Sequence, residues 1–63
     1  MIFNLKEGIV KKEHFNSDGK IFAVSFWEDN KIVFFYSIPP GCSMQKAEED
    51  CRCFLRAKGL LKD

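Results

Sequence analysis

The 63-residue sequence lacks any apolar stretch near the roughly 20 consecutive residues that a membrane-spanning helix needs. Its first residues, MIFNLKEGIVKK, lack the apolar run followed by small residues that marks a signal peptide, so we expect neither a leader nor a membrane span. An excess of one charge sign is also missing, since ten Lys and Arg stand against nine Asp and Glu. This balance argues against a strongly basic nucleic-acid module.

The three cysteines, Cys42, Cys51 and Cys53, form an odd set. Without a secretory signal, this set predicts reduced thiols in a cytoplasmic protein. With His14 they would make a Cys3His zinc set, in which the ligating sulfurs have to lie within about 4 Å of one another. On the helix predicted below, Cys51 and Cys53 point about 160° apart, so we expect no metal site. We expect Cys51 in the core, Cys53 toward solvent and His14 as a solvent-facing residue of an edge strand.

Motifs for a nucleophile, an acid–base pair or a cofactor are lacking as well, so we expect no catalytic residue, no cofactor and no small-molecule substrate. What the sequence has in abundance is aromatic residues, which make up 14% of the chain. A chain of this size buries only about 60% of the surface that its unfolded form exposes. The sequence therefore predicts one small domain, residues 1–63, in which nearly every apolar side chain is needed for the core.

Turn signals divide the first two thirds of the chain into three extended segments. Residues 1–16 form the first, with a bend at Gly8, and NSDGK, residues 16–20, follows as a strong turn signal because Asp-Gly tolerates positive φ. KIFAVSFW, residues 20–27, has the best strand pattern in the chain. EDNK then turns the chain into residues 31–38, where IPPG ends the third strand because proline donates no hydrogen bond to a ladder.

The remainder predicts a helix over residues 44–58, with Ser43 as its N-cap and Gly59 at its C-terminal end. At 100° per residue one helix stripe is apolar; it consists of Met44, Ala47, Cys51, Phe54 and Leu55. The predicted fold is therefore α+β, a three-stranded antiparallel meander with one C-terminal helix packed on one face.

A tight loop from Glu28 to Lys31 would pair Trp27 with Ile32, Phe26 with Val33 and Ala23 with Tyr36. This register leaves large side chains on a second sheet face, which one helix is too narrow to cover. We predict a partner or dimer interface there, formed by Trp27, Ile32, Phe34 and Tyr36. A different loop length would regroup the third strand, and the N-terminal MIF is an alternative cover for this face.

Residues 19–55 resemble the three-strand-plus-helix DNA-binding module at the N-terminus of many tyrosine integrases, which is related to AP2 domains. The matching positions are Gly19-Lys20, Phe26-Trp27, Asp29, and Ser43 followed by Lys46-Ala47-Glu48. The resemblance implies the β-β-β-α fold and DNA binding through the sheet. That family reads the major groove with basic and polar side chains, whereas this chain has Val33, Phe34 and Phe35 at those positions.

In length and style the chain also looks like the short accessory proteins of tailed bacteriophages and prophages, several of which bind a host protein. We therefore expect a non-enzymatic interaction module that binds a protein partner or a second copy through its apolar sheet face. The alternative is a DNA- or RNA-binding domain. Its contacts would come from the basic residues Lys11, Lys12, Lys20, Arg52 and Arg56.

Overall fold

The computed structural model describes residues 1–62, which form three strands followed by a helix. The elements are β1 (Val10–Phe15), β2 (Ile21–Glu28), β3 (Lys31–Ser37) and α1 (Met44–Ala57). The strands make one antiparallel sheet in the order β1-β2-β3. The predicted α+β class and the predicted β-β-β-α order are thereby confirmed. Within residues 1–62, no helix combines the length and the apolar character required to cross a membrane.

Both hairpins turn where the sequence signals predict. Between β1 and β2, the Asn16 side-chain Oδ1 accepts hydrogen bonds from the amides of Asp18 and Lys20, at 2.9 and 3.0 Å. Between β2 and β3, Asp29 and Asn30 adopt φ values of 52° and 65°. Two consecutive positive φ angles define the type I′ turn, whose twist matches that of the strands it joins.

Both ends of α1 are capped by the predicted residues. The Ser43 hydroxyl accepts a hydrogen bond from the Lys46 amide at 3.1 Å, which satisfies one of the free donors of the first turn. At the other end, Gly59 has a φ of 73° and the Leu60 amide donates to the Leu55 carbonyl at 2.9 Å. This is the Schellman arrangement, which requires a left-handed residue where glycine stands.

The register between β2 and β3 agrees with the prediction only next to the turn. Trp27 pairs with Ile32 as predicted, but a β-bulge follows and Phe26 pairs with Phe34. Val33 is therefore an extra residue on β3, and every later pair is displaced by one. The predicted pairs of Phe26 with Val33 and of Ala23 with Tyr36 are wrong for this reason, because a bulge opposes two residues to one.

The core lies between the sheet and α1. Its buried members are Val24, Phe26, Tyr36, Ala47, Cys51, Leu55 and Leu61. The N-terminal segment, residues 1–9, packs against the same core: the Phe3 ring meets the Phe26 ring edge-on at 5.7 Å, and Leu5 pairs with Leu61. The alternative in which MIF covers the second sheet face is therefore wrong, because this segment lies on the helix side.

Candidate functional site: the open face of the sheet

Residues that oppose each other across antiparallel strands project from the same side of the sheet. The ladder pairs of the three strands therefore identify the side that faces away from α1, and Phe22 joins it through its contact with the His14 ring. We call this side the open face; it consists of Val10, Lys12, His14, Phe22, Ala23, Ser25, Trp27, Ile32, Phe35 and Ser37.

Four large apolar side chains of the open face are about half exposed. The exposed fractions are 55% for Val10, 47% for Phe22, 50% for Ile32 and 50% for Phe35. Because a whole aromatic side chain presents about 150–250 Å², these four residues together expose roughly 300–400 Å². This total is within the roughly 300–600 Å² of the largest apolar patch on a typical monomer, and such patches are often functional.

Two of the four residues predicted for this interface lie on the other side of the sheet. The Phe34 ring packs between those of Phe26 and Phe54, with both centroid distances at 5.9 Å. Tyr36 is only 8% exposed and also contacts Phe54. The prediction that Phe34 and Tyr36 form the uncovered surface is therefore wrong, because the bulge at Val33 moves both of them to the helix side.

Trp27 and Ile32 do lie on the open face, as predicted, and Val10, Phe22 and Phe35 join them. Val10 has no alternation signal, because the four residues that follow it along β1, KKEH, are polar on both sides of the strand. Phe35 has none either, because the residues around it are all apolar and fit either register.

A polar network lies at the centre of the open face. The Trp27 Nε1–H donates a hydrogen bond to Ser25 Oγ at 2.7 Å, and His14 Nε2 lies 2.8 Å from the same oxygen. Ser25 is buried, so these contacts satisfy a hydroxyl that has almost no access to water. The Lys12 Nζ stands 4.3 Å from the Trp27 ring centroid, a cation–π distance. The indole is therefore fixed from two sides.

His14 is only partly solvent-accessible, in contrast to the solvent-facing residue that the sequence predicts. It does lie on an edge strand, but its ring contacts the rings of Phe35 and Phe22, with centroid distances of 5.9 and 6.4 Å. The hydrogen bond to Ser25 adds to this cover. The histidine belongs to the platform of the open face and does not project from it.

One end of the open face is concave. Val10, Lys12 and Trp27 form this recess together with Asp29 and Asn30 of the β2–β3 turn, and its volume is about 190 Å³. Phe22 lies toward the opposite end of β2, where its half-exposed ring borders a second, larger hollow of about 610 Å³ that Ile38, Pro39 and Met44 also line.

The basic residues predicted to contact nucleic acid are divided between the two sides of the sheet, although Lys11 and Arg52 share the Phe3 ring on the helix side, at 5.9 and 5.5 Å from its centroid. Lys12 alone lies on the open face. Lys11 lies on the helix side, where its Nζ bonds to the Met1 carbonyl and stands 3.2 Å from Glu13. Arg52 is on the helix side as well, donating to the Ile2 carbonyl at 3.3 Å. Lys20 belongs to the β1–β2 turn and Arg56 to the last turn of α1.

Two perturbed groups on the helix side belong to the fold. Hydrogen bonds from the Met1 ammonium, at 3.1 Å, and then from Lys11 lower the pKa of the Glu13 carboxyl. Burial raises the pKa of the Cys51 thiol to about 11, which keeps it protonated and unreactive near neutral pH. Cys51 is buried and Cys53 is exposed, as predicted. Among residues 1–62, no three His, Cys, Asp or Glu side chains are grouped closely enough to hold a metal ion.

Comparison of the chain with family models, with curated proteins and with solved structures finds no match. The resemblances to the integrase module and to phage accessory proteins therefore stay predictions. The site has to be interpreted from its own geometry.

Proposed function

We propose that this protein is a small non-enzymatic interaction module that binds a protein partner, or a second copy of itself, through the open face. The observation that carries the proposal is the half-exposure of Val10, Phe22, Ile32 and Phe35 on one side of the sheet, opposite α1. Exposing these side chains to water lowers the stability and solubility of an isolated chain, and their burial by a partner would recover that free energy.

The rigidity of the open face supports the same role. Side chains that are already held in one rotamer lose less conformational entropy when a partner binds. Trp27 is held in this way by Ser25 and Lys12. Tryptophan is also among the residues that contribute most to protein–protein binding energy. We therefore expect Trp27 to be the main anchor of the contact.

We extend the proposal to a phage- or prophage-type accessory or regulatory protein that acts in the cytoplasm. The support for this extension is the small sheet with one helix, which those accessory proteins often have, and the odd number of unpaired cysteines. Nucleic-acid binding is the alternative function. Its support is the Lys12 ammonium, which lies beside the Trp27 ring on the open face.

The test compares two lysine substitutions on opposite sides of the molecule. Phe35→Lys places a charge on the open face, and Ile2→Lys is the matched control because Ile2 is 83% exposed on the helix side. Wild type and both variants are first compared by circular dichroism and urea unfolding. They are then immobilised, and the proteins that each retains from an extract of the source cells are quantified by mass spectrometry.

We expect one or a few proteins to be retained by wild type and by Ile2→Lys but not by Phe35→Lys, with Trp27→Ala reducing retention as well. Equal retention by all variants would contradict the proposal, and so would unfolding of Phe35→Lys, because the open face would then be part of the core. Oligonucleotides are tested in parallel at low salt. Binding that weakens steeply with added salt would replace the proposal with the nucleic-acid function.

A further inference from the structure

We propose that the occupant of the open face is a second copy of this chain, packed as a symmetric face-to-face sandwich in which Phe22 of each copy enters the recess of the other. This inference rests on the proposed function and names its partner. Three properties of the open face support it: its charge, its shape and its area.

The charge of the open face favours an apolar, nearly neutral partner. Among the described strand residues of this face, Lys12 carries the one fixed charge, and its ammonium is directed at the Trp27 ring of its own chain. A polyanion would find one cation here, whereas binding to phosphate backbones uses several. A second open face has the required character. Asp29 at the rim of the recess supplies a carboxylate that can meet a lysine from the other copy.

The shape of the open face is self-complementary. The recess is an open hollow of about 190 Å³, lined by Val10 and Trp27 and by the polar residues Lys12, Asp29 and Asn30, and this volume is enough for one aromatic ring. Phe22 offers such a ring, which is 47% exposed. Phe22 and Trp27 are separated by about 16 Å along β2, with Ser25 between them. A two-fold axis near Ser25 exchanges the two ends, so that each ring is placed over the recess of the other copy.

The area of the open face limits the dimer to a weak one. Three strands of about seven residues cover roughly 14 by 24 Å, so two copies would bury about 700 Å² of flat sheet area in total. This area is below that of standard specific interfaces and fits a transient contact. Twisted sheets pack face to face at about 30° and about 10 Å, which this geometry permits. We therefore expect a reversible dimer with a dissociation constant of roughly 1–100 μM.

Sedimentation equilibrium over about 1–500 μM tests this dimer with three variants. Phe22→Ala removes the ring, and Val10→Trp fills the recess from an edge-strand position. Phe54→Ala is the matched control, since Phe54 is also half exposed but lies on α1. Circular dichroism establishes that each variant is folded, and Ile2→Ala replaces the control if loss of Phe54 lowers the helix content.

We expect wild type and the control to dimerise with the same constant, and Phe22→Ala and Val10→Trp each to weaken the dimer at least about tenfold. An equimolar mixture of the two weakened variants should dimerise more strongly than either alone. In the heterodimer, Phe22 of the Val10→Trp variant can enter the open recess of the Phe22→Ala variant. Neither homodimer has such a contact. Such a result requires that each Phe22 ring contacts the recess of the other copy. Non-specific hydrophobic association would not produce it.

A wild type that stays monomeric at about 500 μM, a dimer unaffected by Phe22→Ala, or a mixture no stronger than its components would each overturn the inference. The retention experiment then separates the two claims. If wild type is a monomer but another protein is retained in a Phe35-dependent way, the dimer is wrong and the interaction function stands. If wild type is a monomer and no retention depends on Phe35, both are wrong.

Discussion

Substitution of two adjacent residues of β3, Tyr36 and Phe35, tests the register on which the open face depends. Tyr36 is 8% exposed beneath α1, whereas Phe35 is 50% exposed on the other side of the sheet. In the register predicted from the loop alone, Tyr36 would lie on the uncovered side and Phe35 beneath the helix. In the observed register Tyr36→Ala should therefore lower the free energy of unfolding more than Phe35→Ala does. In the register predicted from the loop the order would be reversed.

The expected magnitudes follow from burial. Replacing a fully buried large aromatic residue by alanine costs about 3–5 kcal/mol, so Tyr36→Ala should cost about 3 kcal/mol. Burying a whole large apolar side chain is worth about 1.5–3 kcal/mol. Because Phe35 is only half buried, Phe35→Ala should cost about 1 kcal/mol. The difference of about 2 kcal/mol corresponds to a roughly 30-fold change in the unfolding equilibrium. A chain of 63 residues has only about 3–9 kcal/mol in total.

Urea unfolding followed by far-UV circular dichroism measures both costs, at two protein concentrations so that any contribution from self-association is seen as a shift of the midpoint with concentration. With a denaturant slope of about 1 kcal/mol/M, the two midpoints should differ by about 2 M. If Tyr36→Ala is unfolded without urea, Tyr36→Phe keeps the ring and should lose less than about 1 kcal/mol. A Phe35→Ala variant that is as destabilised as Tyr36→Ala would refute the bulged register and, with it, the open face.

Three further predictions concern the helix side. Iodoacetamide at about pH 8 should label Cys53 in the folded protein and Cys51 only after unfolding. Mass spectrometry of digests measures the labelling of each residue. Equal labelling of the two in the folded protein would contradict the burial of Cys51. Because the pKa of Glu13 is lowered in the folded state, its stabilising effect is present above its ordinary pKa and is lost as the pH falls through the folded value. Urea titrations at about pH 5 and pH 3 should therefore show a smaller loss of stability for Glu13→Gln than for wild type, and an equal loss would rule out this ion pair as a source of stability. Gly59→Ala should cost about 1 kcal/mol because Gly59 has a φ of 73°, although the new Cβ would meet no atom closer than 4.0 Å; an unchanged urea midpoint would contradict the left-handed cap.

The parts of the fold that the sequence predicts correctly are those that depend on neighbouring residues. Ser43 caps the helix within one turn, and Gly59 ends it through hydrogen bonds that span five residues. The positive φ angles of Asp29 and Asn30 likewise concern one turn. Such signals act before any tertiary contact forms, so the sequence alone is sufficient to locate them.

The side of the sheet on which each aromatic residue lies could not be predicted in the same way. Ile32, Val33, Phe34, Phe35 and Tyr36 are all apolar, so the run has no alternation to fix its register. The choice is made by packing: the bulge at Val33 places Phe34 and Tyr36 against Phe54 of α1. The path of residues 1–9 is also decided by distant contacts, with the C-terminal residues beyond α1.

The same bulge has a consequence for the strength of any association. If the uncovered side held Trp27, Phe34 and Tyr36 together, the patch would be continuous and a permanent partner would be needed. In the observed open face Phe35 takes the place of Phe34 and Tyr36, and Lys12, His14 and Ser25 separate the apolar residues. The Ser25 hydroxyl is satisfied by Trp27 and His14, whereas the Lys12 ammonium has an aromatic contact and no hydrogen bond among the described residues. A partner gains little from Ser25 and has to leave the Lys12 ammonium in water or supply an acceptor for it. The binding energy therefore has to come from the exposed apolar residues alone, which favours a contact that forms and dissociates with concentration over one that the chain requires in order to fold.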